Sequence, residues 1–340
     1  MGEFDLIERF FKRPAQLAQL AQPYLDVALG IGDDCALLQL GPNEQLAVST
    51  DLLIEGRHFF ANVNPRSLGH KSLAVNLSDL AAMGAKPLGF TLALSLPSIE
   101  ENWLTEFSKG LFDLANLSRC PLVGGDTTAG PLSIGITIMG KVGKGQALKR
   151  SGALLGDDIY ISGALGWARL GLQFLQNQLK HPLSEADQKQ CIKALEWPQA
   201  RLALGSALCQ YASAALDLSD GLSGDLLHIL KASQLGAVLF EDQLVASLGT
   251  LDYWQHLTVQ EKAQWALAGG DDYELCFTAP SKHRHALEQL SQQNPQWGRL
   301  HRIGCTTANG LLQMSASETS LSQPTQIDSS GFDHFSHSTN

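Results

Sequence analysis

Ser133-Ile134-Gly135-Ile136-Thr137-Ile138-Met139 alternates strictly, with its three isoleucines on one side and small or polar residues on the other. A period of two is that of a strand with one buried face. Phe90 to Leu96 reads the same way. Between the two, Asn102 to Leu117 carries helical spacing. Upstream, Ser67 to Met83 reads as a helix stopped by Gly84, with Leu73, Leu77 and Leu80 as its core stripe. Ser72, Asn76 and Asp79 follow the same spacing about 100° around the helix, which predicts a polar stripe beside the buried one. Further upstream, Cys35 to Leu40 and Leu46 to Thr50 flank Gly41-Pro42-Asn43-Glu44 and read as a hairpin, placing Asp51 just past a strand end. Glu3 to Arg13 reads as a short helix stopped by Pro14. The order is hairpin, helix, strand, helix, strand, which predicts an α+β fold: a mixed sheet with helices on one face.

Gly140 to Gly156 is rich in Gly and Lys and poor in apolar residues, and a domain boundary is expected near Arg150. Residues 151–340 read as a second α+β domain, a sandwich of helices and sheet. Strands are expected at Asp158 to Ser162, Ala215 to Leu218, Ala237 to Phe240, Glu274 to Thr278 and Leu300 to Gly304. Helices are expected at Leu165 to Leu179, Ser184 to Leu204 and Ser223 to Ser233. The tail from Ser315 reads as loose apart from Gly331-Phe332-Asp333-His334-Phe335.

The chain of 340 residues is long enough for two domains with substantial cores. A net charge of −10 disfavours nonspecific nucleic-acid binding. The six cysteines are scattered without a C-x-x-C pair, which fits a reduced, cytoplasmic protein. The N-terminus has no signal-peptide pattern, and the most apolar stretch, Leu88 to Leu96, is far too short to span a bilayer.

Aspartates recur in short runs of small residues: Gly32-Asp33-Asp34, Ser49-Thr50-Asp51, Asn76-Leu77-Ser78-Asp79, Gly124-Gly125-Asp126-Thr127, Asp217-Leu218-Ser219-Asp220-Gly221 and Gly269-Gly270-Asp271-Asp272. Any one of these is ordinarily a turn, because Asp and Gly dominate turns for local reasons. Ser219 or Asp220 could equally be a helix cap. Their recurrence at the ends of expected strands in both halves points elsewhere. Small residues let backbone approach a ligand, and carboxylate oxygens suit Mg²⁺ shared with polyphosphate. Familiar phosphate loops are absent. Gly30-x-Gly32-x-x-Cys35 lacks the third glycine of a dinucleotide fingerprint, and Gly140 to Gly145 has no G-K-[ST]. Arg150 could clamp a phosphate or be a solvated linker residue. His58 could meet a substrate or simply pack. Cys35 has nothing nearby to activate it.

Taken together and in order, these runs resemble the thiamine-monophosphate kinase family. The resemblance is carried by Gly30-Ile31-Gly32-Asp33-Asp34-Cys35-Ala36, Ser49-Thr50-Asp51, the run from Asn76 to Ala85, Gly124-Gly125-Asp126-Thr127, and Leu216 to Leu222. Gly269-Gly270-Asp271-Asp272-Tyr273-Glu274-Leu275 and the Gly-Phe-Asp-His-Phe end complete it. It is collinear from residue 2 to about residue 335. Some motifs are shared with aminoimidazole ribonucleotide synthetase, selenide water dikinase and a hydrogenase-maturation protein. Those rivals fit less well: residues 1–29 hold no Cys, the chain does not end in Cys, and Asp51 leads into Leu52-Leu53-Ile54-Glu55-Gly56-Arg57-His58.

The resemblance implies ATP-dependent phosphorylation of thiamine monophosphate to thiamine diphosphate, the last step of that cofactor's synthesis. It implies a homodimer whose N-terminal domains, residues 1–150, form a shared β-barrel beside the ATP groove. Asp34, Thr50, Asp51, Asp79, Asp126, Asp217 and Asp220 would hold several Mg²⁺ ions. Gly125, Asp126, Arg150 and Ser219 would contact ATP. His58, Glu274 and Phe332 would meet the thiamine phosphate. Asp33 and Ser49 are weaker candidates for metal or phosphate, and Asp271 and Asp272 are assigned only to site architecture. Neither a general base nor a covalent nucleophile is expected, since a phosphate monoester with a second pKa near ~6 is already mostly dianionic at neutral pH. The obstacle is repulsion between polyanions, ~4 kcal/mol per pair of unit charges ~4 Å apart at an effective dielectric of ~20. Direct transfer without a phosphoenzyme follows as the expectation.

Overall fold

Pro14 does not end the first helix. In the computed structural model, α1 (Glu3–Ile7) runs into a π-helical turn (Glu8–Lys12) and on into α2 (Arg13–Ala21). The wide turn closes on an Arg13 N–H to Glu8 carbonyl bond, five residues back. Proline disrupts an α-helix because it lacks an N–H and crowds the carbonyl four residues back. A π turn shifts that pairing at the place where Pro14 needs it. The structure describes residues 2–21, 24–31, 35–320 and 322–327, without the side chains of residues 3 and 4. Asp33, Asp34, Phe332 and the C-terminal aromatic motif lie outside the described residues.

The chain folds into two units, Met1–Ala147 and Leu148–Asn340. In the first, β1 (Val27–Leu29) pairs with β2 (Leu37–Leu38). The expected hairpin between β2 and the next strand is therefore not formed. Instead β3 (Glu44–Ile54) pairs along its whole length, eleven residues in register, with a later strand. After α3 (Pro65–Ala82) come β4 (Lys86–Leu96), α4 (Glu101–Ser118), β5 (Leu122–Ala129) and β6 (Ser133–Gly143). The sheet order is β3-β6-β4-β5, antiparallel except for the parallel β4–β5 pair. Ile134, Ile136 and Ile138 are fully buried on its inner face, as their alternation predicts.

α3 starts cleanly, with Asn64 as N-cap and Pro65 in the first turn. It packs against the sheet on one side and α4 on the other. The predicted polar stripe is consequently not solvated. Ser72 and Asn76 are fully buried and bond to the carbonyls of Leu68 and Ser72 at 2.7 and 3.0 Å. Among the described residues the sheet is open, with β3 and β5 as edges, and Leu46, Val48, Leu52 and Ile54 on its outer face are exposed. No closed barrel forms among the described residues of the single chain.

The second unit contains β7 (Asp158–Ser162), α5 (Trp167–Leu175), α6 (Glu185–Glu196), α7 (Leu202–Leu208), β8 (Ala214–Asp217), α8 (Leu222–Ser233) and β9 (Gly236–Phe240). α9 (Glu241–Ala246), α10 (Val259–Ala268), β10 (Leu275–Ala279), α11 (Arg284–Gln293), β11 (Leu300–Thr307), β12 (Leu312–Ser315) and β13 (Thr325–Gln326) complete it. Its sheet order is β13-β12-β9-β11-β7-β10-β8. The single helix expected over Ser184 to Leu204 is two, α6 and α7, because Pro198 cannot continue a helix and pushes Trp197 out of helical geometry. The fold as a whole is α+β, with a mixed sheet in each unit.

Candidate functional site

In the first unit, the strand β3 and the helix α3 bring two carboxylates together. Asp51 sits on the inner face of β3, and Asp79 near the C-terminus of α3. Ser49, two residues before Asp51 and so on the same face, donates its hydroxyl to Asp79 Oδ2 at 2.5 Å. Burial, with the nearby Asp79 charge adding to it, pushes Asp51 up to about 6. A buried carboxylate with a second carboxylate beside it is a place suited to a cation.

Thr50 is not brought to this pair by its side chain. Its hydroxyl lies on the opposite sheet face, 2.9 Å from the Thr137 hydroxyl. Asp126 also stands apart. The cross-sheet row through Asp51 runs Ile136, Leu92, Gly125. Three strand spacings of ~4.8 Å put Gly125 roughly 14 Å from Asp51 along the sheet. Gly125 has φ +152°, and a Cβ there would fall 2.1 Å from the Leu92 carbonyl oxygen, so no other residue fits. Asp126 is exposed, and its Oδ1 accepts from the Thr127 N–H at 2.9 Å. Gly125, Asp126 and Thr127 form one wall of a pocket that Ile7, Phe11 and Leu92 help to line. His58 lies in the turn after β3, where its Nδ1 accepts from the Ile54 N–H at 3.0 Å. That bond places the neutral ring's proton on Nε2.

In the second unit, two of the sequence's acidic runs zip together. β8 and β10 pair with Asp217 opposite Leu275. Beyond the strand ends the pairing continues through Leu218 N–H to Glu274 O (2.8 Å), Tyr273 N–H to Leu218 O (2.8 Å) and Asp271 N–H to Ser219 O (2.9 Å). Asp217, Ser219, Asp220 and Glu274 therefore belong to one hydrogen-bonded platform. Asp271 and Tyr273 both adopt left-handed backbone, at φ 61° and 49°. Such strain persists only where surroundings enforce it.

Three groups enforce it: Asp272, which the sequence assigned to site architecture, and two that it did not single out as anchors, Asp225 and the Arg201–Ser162 grip on Glu274. Asp225 Oδ2, in the first turn of α8, accepts from the N–H groups of Ser219, Asp220 and Gly221 at 3.0, 3.1 and 3.2 Å. Burial pushes its carboxyl up to about 6 against the pull of those amides. Asp272 places both oxygens 3.0 Å from the Gly166 N–H at the start of α5. The residue is half-buried overall, yet its carboxyl is deep enough for desolvation to push it up to about 8. Glu274 is gripped by Arg201 Nε at 2.7 Å, by Arg201 Nη2, and by the Ser162 hydroxyl at 2.5 Å. Only the short spacing of Asp220 and Asp225 was visible in the sequence. Arg201 and Ser162 lie 73 and 112 residues from Glu274. Arg150 is exposed at the start of this unit, where its carbonyl accepts from the Ser233 hydroxyl at 3.3 Å.

Among the described residues, no group of three or more His, Cys, Asp or Glu side chains stands close enough to hold an ion. Mg²⁺ is usually held by one or two carboxylates together with substrate phosphates and water. The all-oxygen donors Asp51, Asp79, Asp217 and Asp220 fit that habit, and they do not fit a site for zinc, which favours Cys and His.

A mixed sheet carrying Gly-Gly-Asp and Ser-Thr-Asp runs defines a protein of the class whose family model is described as AIR synthase related protein, N-terminal domain; that model matches residues 32–142. Over the whole chain the similarity is narrower. The chain is 45% identical over 347 residues to the thiamine-monophosphate kinase of Escherichia coli (strain K12), covering 98% of both. It also resembles the crystal structure of the thiamine-monophosphate kinase from Stenotrophomonas maltophilia K279a, at a TM-score of 0.81 and 43% identity, with 93% of this chain and 98% of that one covered. AaThiL in complex with AMPPCP and TMP superposes at a TM-score of 0.71 and 26% identity, covering 94% and 96%. The chain belongs to the thiamine-monophosphate kinase family of enzymes.

Proposed function

We propose that this protein transfers the γ-phosphoryl group of ATP to thiamine monophosphate, giving thiamine diphosphate and ADP. The observation that carries the reading is the Asp51–Asp79 pair, whose mutual repulsion and burial suit it to a cation that accompanies polyphosphate. Full-length similarity to thiamine-monophosphate kinases, one of them in complex with AMPPCP and TMP, supplies the substrate.

Asp51 and Asp79 from the first unit, and Asp217 and Asp220 from the second, would hold Mg²⁺. Asp126 joins them, as do Asp34 and Thr50, the latter through its main chain. Bound Mg²⁺ offsets the charge between two polyanions and favours in-line alignment of attacking and leaving oxygens. Gly125 lets the phosphates approach backbone, and Ser219 and Arg150 donate to them. His58 offers its Nε2–H, and Glu274 and Phe332 meet the thiamine moiety. Ser49 orients Asp79, and Asp33 is a weaker candidate for metal or phosphate. No side chain needs to accept a proton from the dianionic acceptor, so transfer is direct. Inversion at phosphorus with a chiral γ-phosphate is expected; retention would contradict direct transfer.

The protein works as a homodimer in the cytoplasm, with no nucleic-acid or membrane partner. Leu46, Val48, Leu52 and Ile54 alternate along the outer face of edge strand β3 and are 48, 57, 53 and 39% exposed. A patch of that kind marks an interaction surface. A second copy covering it would join two open sheets into a shared barrel. No disulfide joins the six cysteines, and no described helix is long and apolar enough to cross a membrane. Incubation with ATP, Mg²⁺ and thiamine monophosphate, followed by chromatography for thiamine diphosphate, tests the reading. Binding of both ligands without product would replace it with a binding protein.

A further inference from the structure

Glu274 does not meet its ligand as an open carboxylate. A carboxylate offers about four lone-pair directions. Oε2 already accepts from Arg201 Nε and from the Ser162 hydroxyl, and Oε1 accepts from Arg201 Nη2. Ser162 is itself fixed, since its oxygen accepts from the Leu275 N–H at 2.9 Å. One direction remains, on Oε1. A Cβ at Gly163 would fall 2.0 Å from that same oxygen, so the carboxylate is packed against bare backbone.

Arg201 is the other half of the group. Its guanidinium carries five N–H donors in a fixed plane, of which the bonds to Glu274 use two. The pair is not sealed: the Glu274 side chain is 7% exposed and that of Arg201 18%. The Nη2–Oε1 contact thus sets one remaining donor beside one remaining acceptor. Its complement is a planar edge with an acceptor beside a donor. Thiamine has such an edge in its aminopyrimidine ring, an amino group next to a ring nitrogen.

We propose that Arg201 and Glu274 act together as a specificity element that reads the amino–nitrogen edge of the pyrimidine, Glu274 taking one amino hydrogen and Arg201 donating to the ring nitrogen. The assignment rests on thiamine monophosphate being the substrate. It extends that reading by making Arg201 a ligand-binding residue and limiting Glu274 to a single further hydrogen bond. A lone carboxylate would accept any amine, whereas a donor–acceptor pair rejects an analogue in which the pattern is reversed.

Oxythiamine monophosphate reverses it, carrying a carbonyl in place of the amino group and a hydrogen on the adjacent nitrogen. The wild-type protein is expected to prefer thiamine monophosphate by ~100-fold or more in kcat/KM, since sites built around a hydrogen bond reject analogues strongly. Arg201→Lys keeps the charge and loses the fork. It is expected to raise KM for thiamine monophosphate roughly tenfold, leave KM for ATP within about twofold, and shrink the preference by roughly tenfold. Glu274→Gln, which also breaks the fork, is expected to shrink it similarly. Equal wild-type kcat/KM for the two compounds would overturn the proposal whether or not a variant folds. So would a folded Arg201→Lys protein with unchanged preference. A wild-type protein that converts no thiamine monophosphate would instead remove the function on which the proposal rests, and the proposal with it.

Discussion

The carboxylates of the two units are held in opposite ways. Asp51 and Asp79 project from a long strand and a buried helix, and regular structure positions them with one added bond from Ser49 to Asp79. Asp217 ends strand β8, and Ser219, Asp220 and Glu274 lie just beyond the strand ends. A turn is rigid only if its backbone groups are satisfied, and here Asp225, Asp272, Arg201 and Ser162 satisfy or anchor them. The difference sorts the protein's many acids by role. Some are proposed to hold metal, and others are spent on the backbone amides of the turns. Motif spacing alone cannot tell the two kinds apart.

The largest effects are expected at the acids proposed to hold metal. Asp217→Asn and Asp126→Asn are each expected to lower kcat by ~10²- to 10³-fold while circular dichroism and melting temperature stay near wild type. Near-normal rates in both would refute their placement. Asp51→Asn should also abolish turnover, yet stabilise the metal-free protein by on the order of 1 kcal/mol, since it removes a buried like-charge contact with Asp79. Denaturant melts with EDTA present check the sign.

The acids spent on backbone amides should behave the other way. Asp225→Ala leaves three amides without their acceptor and should cost about 3 kcal/mol, read by urea denaturation. Asp225→Asn keeps an acceptor and should cost about 1 kcal/mol. If Asp225→Ala melts like wild type, the turn is held by something else.

Asp272 sharpens the contrast through pH. Its folded-state carboxyl is raised to about 8 by burial, above the ~3.9 of an unfolded aspartate. The folded state therefore binds that proton more tightly. The resulting stability is complete below about pH 4 and is lost as pH rises through 8. Melting temperature should fall between pH 6 and 8.5 in the wild type and change less in Asp272→Asn. The smallest effect on folding belongs to the outer sheet face. Val48→Glu should shift monomer stability by only about ±0.5 kcal/mol, yet convert a dimer to monomers in sedimentation.

Strands and their faces were legible where alternation is strict. The isoleucines of β6 and the bounds of β7 follow from sequence alone. The failures have physical causes. The Gly41 turn looks like a hairpin, but β3 gains a longer ladder with β6. Pro14 looks like a stop, and a π turn absorbs it. Ser72 and Asn76 look like a polar stripe beside the buried one, but both are fully buried and bond to carbonyls of their own helix. The acids proposed to hold metal were legible because each lies in a run of small residues. Asp272 was read as architecture without its partner, and Arg201 and Ser162 were not read as anchors, because their partners are far away in sequence.

Asp51 in the first unit and Asp217 in the second are each proposed to serve phosphoryl transfer to thiamine monophosphate. The direct measurement is thiamine diphosphate formed from ATP, Mg²⁺ and thiamine monophosphate by wild type, Asp51→Asn and Asp217→Asn, each shown to be folded. Product is expected from the wild type, none once EDTA is added, and almost none from either variant. Wild-type protein that makes no thiamine diphosphate, or variants that make it at the normal rate, would contradict it.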